Sequence, residues 1–79
     1  MLIRSQDKKS LINMDNVTDL SVVNGSEIMT DQGYRCIGKY SDKAKAIKVL
    51  NIIQDAYISN SIDGDFPVFQ MPTDEEVEV

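Results

Sequence analysis

Residues 41–59 read SDKAKAIKVLNIIQDAYIS and form the longest periodic stretch of the chain. Ser41 suits the N-cap of a helix, because its hydroxyl can accept a hydrogen bond from a free N–H of the first turn. Ile47, Ile52 and Ala56 make the apolar arc wider than a coiled-coil seam, so we expect the helix to cover a sheet. The apolar residues that recur at three- and four-residue spacing, and thereby predict this helix, are Ala46, Val49, Leu50, Ile53 and Tyr57.

The segments before the helix are short, β-prone and separated by turn residues. Asn24-Gly25 is the strongest hairpin signal, since both central residues of a type I′ turn need a positive φ. Gly33 closes a second turn, and residues 7–9 form a polar turn in a first hairpin. Strands are predicted over residues 2–6, 10–14, 17–23, 27–30 and 34–40.

The strand over residues 34–40 carries alternating side chains. We expect the face with Tyr34, Cys36 and Tyr40 to point inward against the helix, with Cys36 as a buried structural cysteine. Gly38 in the same strand predicts a bulge or a close approach.

The C-terminal part begins with FPVFQM at residues 66–71, which predicts a last strand. Pro67 lacks an N–H, so this strand should lie at a sheet edge. Because the earlier strands are sequential and joined by short turns, an antiparallel meander is the economical topology. We therefore predict an α+β fold: a meander of about four or five strands, one long helix on one face, and a C-terminal edge strand. Residues 1–72 should form one small domain and residues 73–79 an acidic, disordered tail.

Composition excludes several kinds of chemistry. The 79 residues include one cysteine and no histidine, so an internal disulfide, the usual Ser-His-Asp and Cys-His arrangements and a good zinc set are all ruled out. Neither glycine-rich phosphate-loop pattern occurs. We predict no catalytic residue, no metal site and no cofactor. A chain this small has a thin core, which favours a homo-oligomer, with a dimer as the favoured form.

Charge is unevenly distributed. The net charge is −5, but residues 1–48 carry +2 and residues 49–79 carry −7 with no basic residue. The acidic part argues against general nucleic-acid binding. No signal peptide or apolar run long enough to span a bilayer is present, so we expect a cytoplasmic protein without membrane contact. A candidate basic patch, which could equally be a solvated rim, comprises Arg35, Lys39, Lys43, Lys45 and Lys48.

An extended, Pro-flanked arm near the C-terminus is the better-motivated contact site. Such an arm can add itself to a sheet edge in its own chain or in another copy. The candidate interaction residues are Phe66, Val68, Phe69 and Met71.

The order of these parts resembles a known kind of protein. The opening LIRSQDKKSLINMDNV, the strand and helix GKYSDKAKAIKVLNIIQDAY, and VFQMP before an acidic end resemble small uncharacterised proteins of phages and prophages of Gram-positive bacteria. The resemblance covers nearly the whole chain and carries no assigned activity. It implies an accessory role in which the protein acts by contact rather than by catalysis.

Three functions are therefore expected in order. The first is a protein–protein interaction protein that self-associates through a sheet edge and the C-terminal arm. The second is an acidic inhibitor of a host nucleic-acid enzyme, in which the −7 part imitates phosphate charge. The third is a weak nucleic-acid binder that uses Arg35 and the helix lysines.

Overall fold

A computed structural model describes residues 1–63 and 68–78 of the chain, and of residues 60–63 the backbone alone. Its one long helix, α1, spans Lys43–Asp63, so the predicted helix is confirmed. The N-cap of α1 is Asp42, one residue after the expected Ser41. The Asp42 carboxylate accepts the Lys45 N–H at 2.8 Å, whereas the Ser41 N–H donates to Asp74 at 2.7 Å. A carboxylate at this position also suits the positive end of the helix dipole.

A meander of three antiparallel strands follows the predicted turns. It consists of β3 (Leu20–Val23), β4 (Glu27–Thr30) and β5 (Arg35–Lys39). Asn24 and Gly25 have φ values of 52° and 85°, which confirms the sign that the type I′ turn demands at both positions.

The remaining strands form a second sheet. It contains β1 (Leu2–Arg4), β2 (Leu11–Asn13) and β6 (Val68–Gln70) in the order β2-β1-β6. The first hairpin, β1 with β2, is confirmed and antiparallel. Strand β6 lies at the edge, as predicted, and runs parallel to β1.

The α+β class, the antiparallel meander and the helix packed against it are thus as predicted, and the six strands of the described residues are divided between two sheets. Gln6 joins the sheets where β1 has ended. Its N–H donates to the Ile37 carbonyl at 2.9 Å, and its side chain exchanges hydrogen bonds with the backbone of Lys39. Two short sheets can therefore share one core.

A β-bulge in β5 changes which side chains point inward. Ile28 pairs with Gly38 but Met29 pairs with Cys36, so Ile37 is the extra residue. Ile37 and Tyr40 are buried, whereas Tyr34 is 80% exposed. The expectation that Tyr34 and Cys36 point inward with Tyr40 is wrong, because simple alternation does not hold across a bulge. The bulge itself was indicated by Gly38.

Strand β3 begins later than predicted, because residues 17–19 make a different set of bonds. Both the N–H and the hydroxyl of Thr18 donate to Asp31 at 2.9 Å. The Asp19 carboxylate accepts the Gln32 N–H at 2.8 Å. Asp31 and Gln32 have positive φ values of 52° and 59°, and these side-chain bonds hold that turn.

Residues 71–78, called here the C-terminal strap, lie against the core. Met71 and Val77 are 1% and 5% exposed, and Asp74–Glu76 form a 3₁₀ helix. The expected disordered tail is therefore corrected for residues 73–78. Acidic composition indicated disorder, but one buried valine and the bonds of Asp74 to the start of α1 anchor the segment.

The core lies between α1, the two sheets and the strap. Partly buried side chains at its margin include Met14, Leu20 and Phe69. The buried hydrophobic residues are Met1, Ile3, Ile28, Ile37, Tyr40, Ala46, Val49, Ile53, Met71 and Val77.

Candidate interaction surface

An open apolar groove runs along the second half of α1. Its volume is about 300 Å³, and its described lining is apolar except for the Gln54 side chain and the Tyr57 hydroxyl. The opposite wall comes from Met14, in the 3₁₀ helix Met14–Asn16, and from Leu20 at the start of β3. The groove residues on α1 are Leu50, Ile53, Gln54, Tyr57 and Ile58. This set of seven residues is called here the helix groove.

Local bonds fix the two walls of the helix groove. The Met14 N–H donates to the Met1 carbonyl at 3.0 Å, and the Asn13 side chain accepts the Asp15 N–H at 3.0 Å. Across the mouth of the groove, the Tyr57 hydroxyl donates to the Asp15 carboxylate at 3.3 Å. These contacts place the 3₁₀ helix beside α1 and keep the space between them open on one side.

Large apolar side chains of the groove remain accessible to solvent. Ile58 is 48% exposed and Tyr57 is 37% exposed, while Ile53 beneath them is 1% exposed. Ile47, on the same flank of α1 by helical geometry, is 41% exposed. An apolar stripe next to a closed core is typical of a contact surface rather than of the core itself.

Sequence reasoning missed this groove because it assigned the whole apolar arc of α1 to the core. The available signal was the width of that arc. Ile58 lies about 120° from Ala46 around the helix, which is at the margin of what a single sheet can cover.

The structure separates the four candidate residues of the C-terminal arm. Phe66 lies outside the described residues. Val68 is 50% exposed, whereas Phe69 packs at the margin of the core and Met71 is 1% exposed. Strand β6 pairs with β1 of its own chain, so the arm is docked in cis.

The five residues of the candidate basic patch do not form one free cationic surface. Lys39 approaches Glu27 at 3.8 Å. The Lys45 ammonium donates to the Asp74 carbonyl at 3.0 Å and lies 3.6 Å from the Asp74 carboxylate. The Lys48 ammonium donates to the Glu78 carbonyl. Arg35 and Lys43 are exposed on different elements, β5 and α1.

Structural bonds and burial shift the pKa values of several groups. The N–H of Ser41, more than the nearby Lys45, lowers the pKa of Asp74. Bonds from Thr18 lower the pKa of Asp31, and bonds from Thr73 lower that of Glu76. Burial raises the pKa of Tyr40 to about 12. None of these groups is among the lining residues of the helix groove.

Cys36 lies on β5 and is half-buried with a free thiol. Its Sγ donates to the Gly38 carbonyl at 3.5 Å. The expectation of a fully buried cysteine is therefore corrected, because Cys36 keeps partial exposure beside the bulge at Ile37.

Within residues 1–63 and 68–78, no cluster of three or more His, Cys, Asp or Glu side chains is placed to hold a metal ion. In the same part of the chain, α1 lacks the apolar length needed to cross a membrane. Comparison with known proteins gave no matching family model, no matching curated protein and no matching solved structure.

Proposed function

We propose that this chain is a non-catalytic accessory protein that acts by binding another protein through the helix groove. The observation that carries the proposal is the open, mostly apolar groove of about 300 Å³, in which exposed Tyr57 and Ile58 lie above buried Ile53. Sites for small polar ligands bring several placed polar groups together. The helix groove offers the Gln54 side chain and the Tyr57 hydroxyl, which Asp15 already engages, beside five aliphatic or methionine side chains, and this suits the apolar side chains of a protein partner.

The origin and setting of the protein stay predictions. The resemblance to small phage and prophage proteins implies an accessory role in a bacterial cytoplasm, and a contact function agrees with that implication. The nucleic-acid alternative loses support, because Lys45 pairs with Asp74 and the Lys48 ammonium is bound to the strap, while the acidic-inhibitor alternative stays a prediction.

A dimer is the second candidate. Strand β6 pairs with β1 on one side, and its other side has no partner strand among residues 1–63 and 68–78. An edge of this kind can add a strand from a second copy. The segment is only three residues long, which limits the number of hydrogen bonds that such pairing provides.

Peptide selection tests the groove directly. A displayed library of random peptides is enriched on the wild-type chain, and the affinities of the recovered peptides are measured against Ile58→Gln and Ile52→Gln. Both isoleucines are exposed, at 48% and 38%, and they lie on opposite flanks of α1 by helical geometry. We expect Ile58→Gln to weaken binding by about tenfold or more and Ile52→Gln to leave it unchanged. Peptides that bind both variants as tightly as wild type, or a library that yields no binder, would overturn the proposal.

A further inference from the structure

The charges around the helix groove have one sign. Residues 10–34 and 49–63, which supply both walls, contain no lysine or arginine. The charged residues that adjoin lining residues in the sequence are Asp15, next to Met14; Asp19, next to Leu20; and Asp55, next to Gln54 and one turn before Ile58.

Two of these carboxylates are well placed to meet a ligand. Asp15 is exposed and stands at the mouth of the groove, because its carboxylate accepts the Tyr57 hydroxyl at 3.3 Å. Asp55 is exposed on α1 beside Ile58. The carboxylate of Asp19 is engaged by the Gln32 N–H. The nearest cation on this flank of α1 is Lys43, seven residues before Leu50 and about 10 Å along the helix.

From this arrangement we infer that the helix groove takes a cationic amphipathic segment of another protein, with apolar anchors flanked by lysine or arginine. The inference rests on the proposed function of the groove. From Leu50 to Ile58 the groove extends about 12 Å along the helix, which matches about two turns of a bound helix with anchors on one face. Positive residues beside the anchors would lie against Asp15 and Asp55.

The same charges disfavour a second copy as the occupant. A two-fold contact would bring Asp15 and Asp55 of one chain against the same carboxylates of the other, and like charges at an interface oppose association. A partner surface rich in aspartate or glutamate meets the same repulsion. A cationic segment is attracted to the rim and reaches the groove faster at low salt.

Three labelled peptides of about 15 residues test the inference. They share leucines at i, i+3, i+4 and i+7 spacing, and their remaining positions are all lysine, all glutamine or all glutamate. Fluorescence anisotropy measures their affinity for the full chain. We expect the lysine peptide to bind most tightly and the glutamate peptide least, and the advantage of lysine to shrink as salt rises.

Charge-removing variants locate the effect. Asp15→Asn and Asp55→Asn should each weaken binding of the lysine peptide by about two- to fivefold and leave the affinity of the glutamine peptide unchanged. Glu75→Gln is the matched control, because Glu75 is an exposed acid in the strap, away from the groove. If Glu75→Gln weakens binding of the lysine peptide as much as Asp15→Asn and Asp55→Asn do, the attraction reflects net charge alone and the inference is wrong.

The outcomes separate the two proposals. If lysine and glutamine peptides bind equally and both are lost in Ile58→Gln, the groove binds peptides but the cationic partner is refuted. If Ile58→Gln weakens the binding of none of the peptides, both the proposed function and the cationic partner are refuted. If light scattering shows self-association that Ile58→Gln abolishes and salt strengthens, the occupant is a second copy, which again overturns the cationic partner.

Discussion

Two regions beside α1 treat its apolar side chains differently. Over the first half of the helix, the C-terminal strap closes the core with Met71 and Val77, which are 1% and 5% exposed. Beside the second half, the helix groove leaves Tyr57 and Ile58 open, at 37% and 48% exposure. The first region is a completed core, and the second is an apolar surface with the same kinds of side chain.

Polar bonds explain why the strap stays closed. Its backbone carbonyls accept the Tyr40 hydroxyl at 2.8 Å and the ammonium groups of Lys45 and Lys48. The Asp74 carboxylate accepts the Ser41 N–H at 2.7 Å. At the groove, the polar contact that the described residues make across the mouth is a long hydrogen bond between Tyr57 and Asp15. The difference teaches that burial beside α1 follows where the chain can also satisfy polar groups.

The largest expected effect comes from Met71→Ala. Removing a fully buried side chain from the strap should lower the free energy of unfolding by about 2–5 kcal/mol. Urea denaturation followed by circular dichroism measures it. Val68→Ala is the matched control three residues earlier, where 50% exposure predicts a change within about 0.5 kcal/mol. Equal effects of the two variants would show that the strap is not part of the core.

A smaller loss of stability is expected from Gly38→Val, because the added side chain crowds the residues against which the strap packs. A Cβ at Gly38 would lie 3.0 Å from the Met71 methyl and 3.1 Å from the Tyr40 ring. The branched side chain should lower the free energy of unfolding by about 1–3 kcal/mol, and Gly38→Ala by less, because the end of Met71 can shift. In a double-mutant cycle, Met71→Ala should relieve part of the loss. Strict additivity would contradict this contact.

The sequence specified the features whose physics is local. Asn24 and Gly25 predict their hairpin because both must adopt positive φ, and they do so at 52° and 85°. The spacing of apolar residues predicts α1 for the same reason: helical periodicity depends on neighbours in the chain. These elements account for the α+β class and the meander.

The features that sequence reasoning missed depend on distant contacts. Whether Ile58 is core or surface depends on the position of the 3₁₀ helix that carries Met14, some forty residues earlier. Residues 73–78 of the strap were expected to be disordered because their acidic composition hides an apolar anchor, Val77. Tyr34 was expected inside because alternation is a rule for a regular strand, and the bulge at Ile37 interrupts it.

A modest effect with a clear pH dependence is expected from Tyr40→Phe. Losing the bond to the Pro72 carbonyl should lower the free energy of unfolding by about 0.5–1.5 kcal/mol near neutral pH, toward the low end because Gln6 also donates to that carbonyl. Burial raises the pKa of Tyr40 from 10.0 to about 12. The folded state therefore favours the protonated phenol, a contribution that is complete below pH 10 and lost as pH rises towards 12.

Thermal unfolding of wild type and Tyr40→Phe across the alkaline range measures this dependence. The wild-type advantage should shrink above about pH 10, while Tyr34→Phe, at an 80% exposed position, should follow wild type throughout. An advantage that is constant with pH would mean that the Tyr40 phenol is not held by the strap.

The smallest effect on stability is expected where the proposed function is most sensitive. Ile58→Gln replaces an apolar side chain that is 48% exposed with a good helix former, so the free energy of unfolding should change by no more than about 0.5 kcal/mol. Urea denaturation measures it beside Ile53→Ala, whose side chain is 1% exposed and whose loss should be about 2–5 kcal/mol. Ile58→Gln could instead destabilise the fold as much as Ile53→Ala does. The second half of α1 would then be core like the first, and the groove would not be a binding surface. If stability is unchanged while peptide binding falls about tenfold, Ile58 serves an interaction that the fold itself does not require.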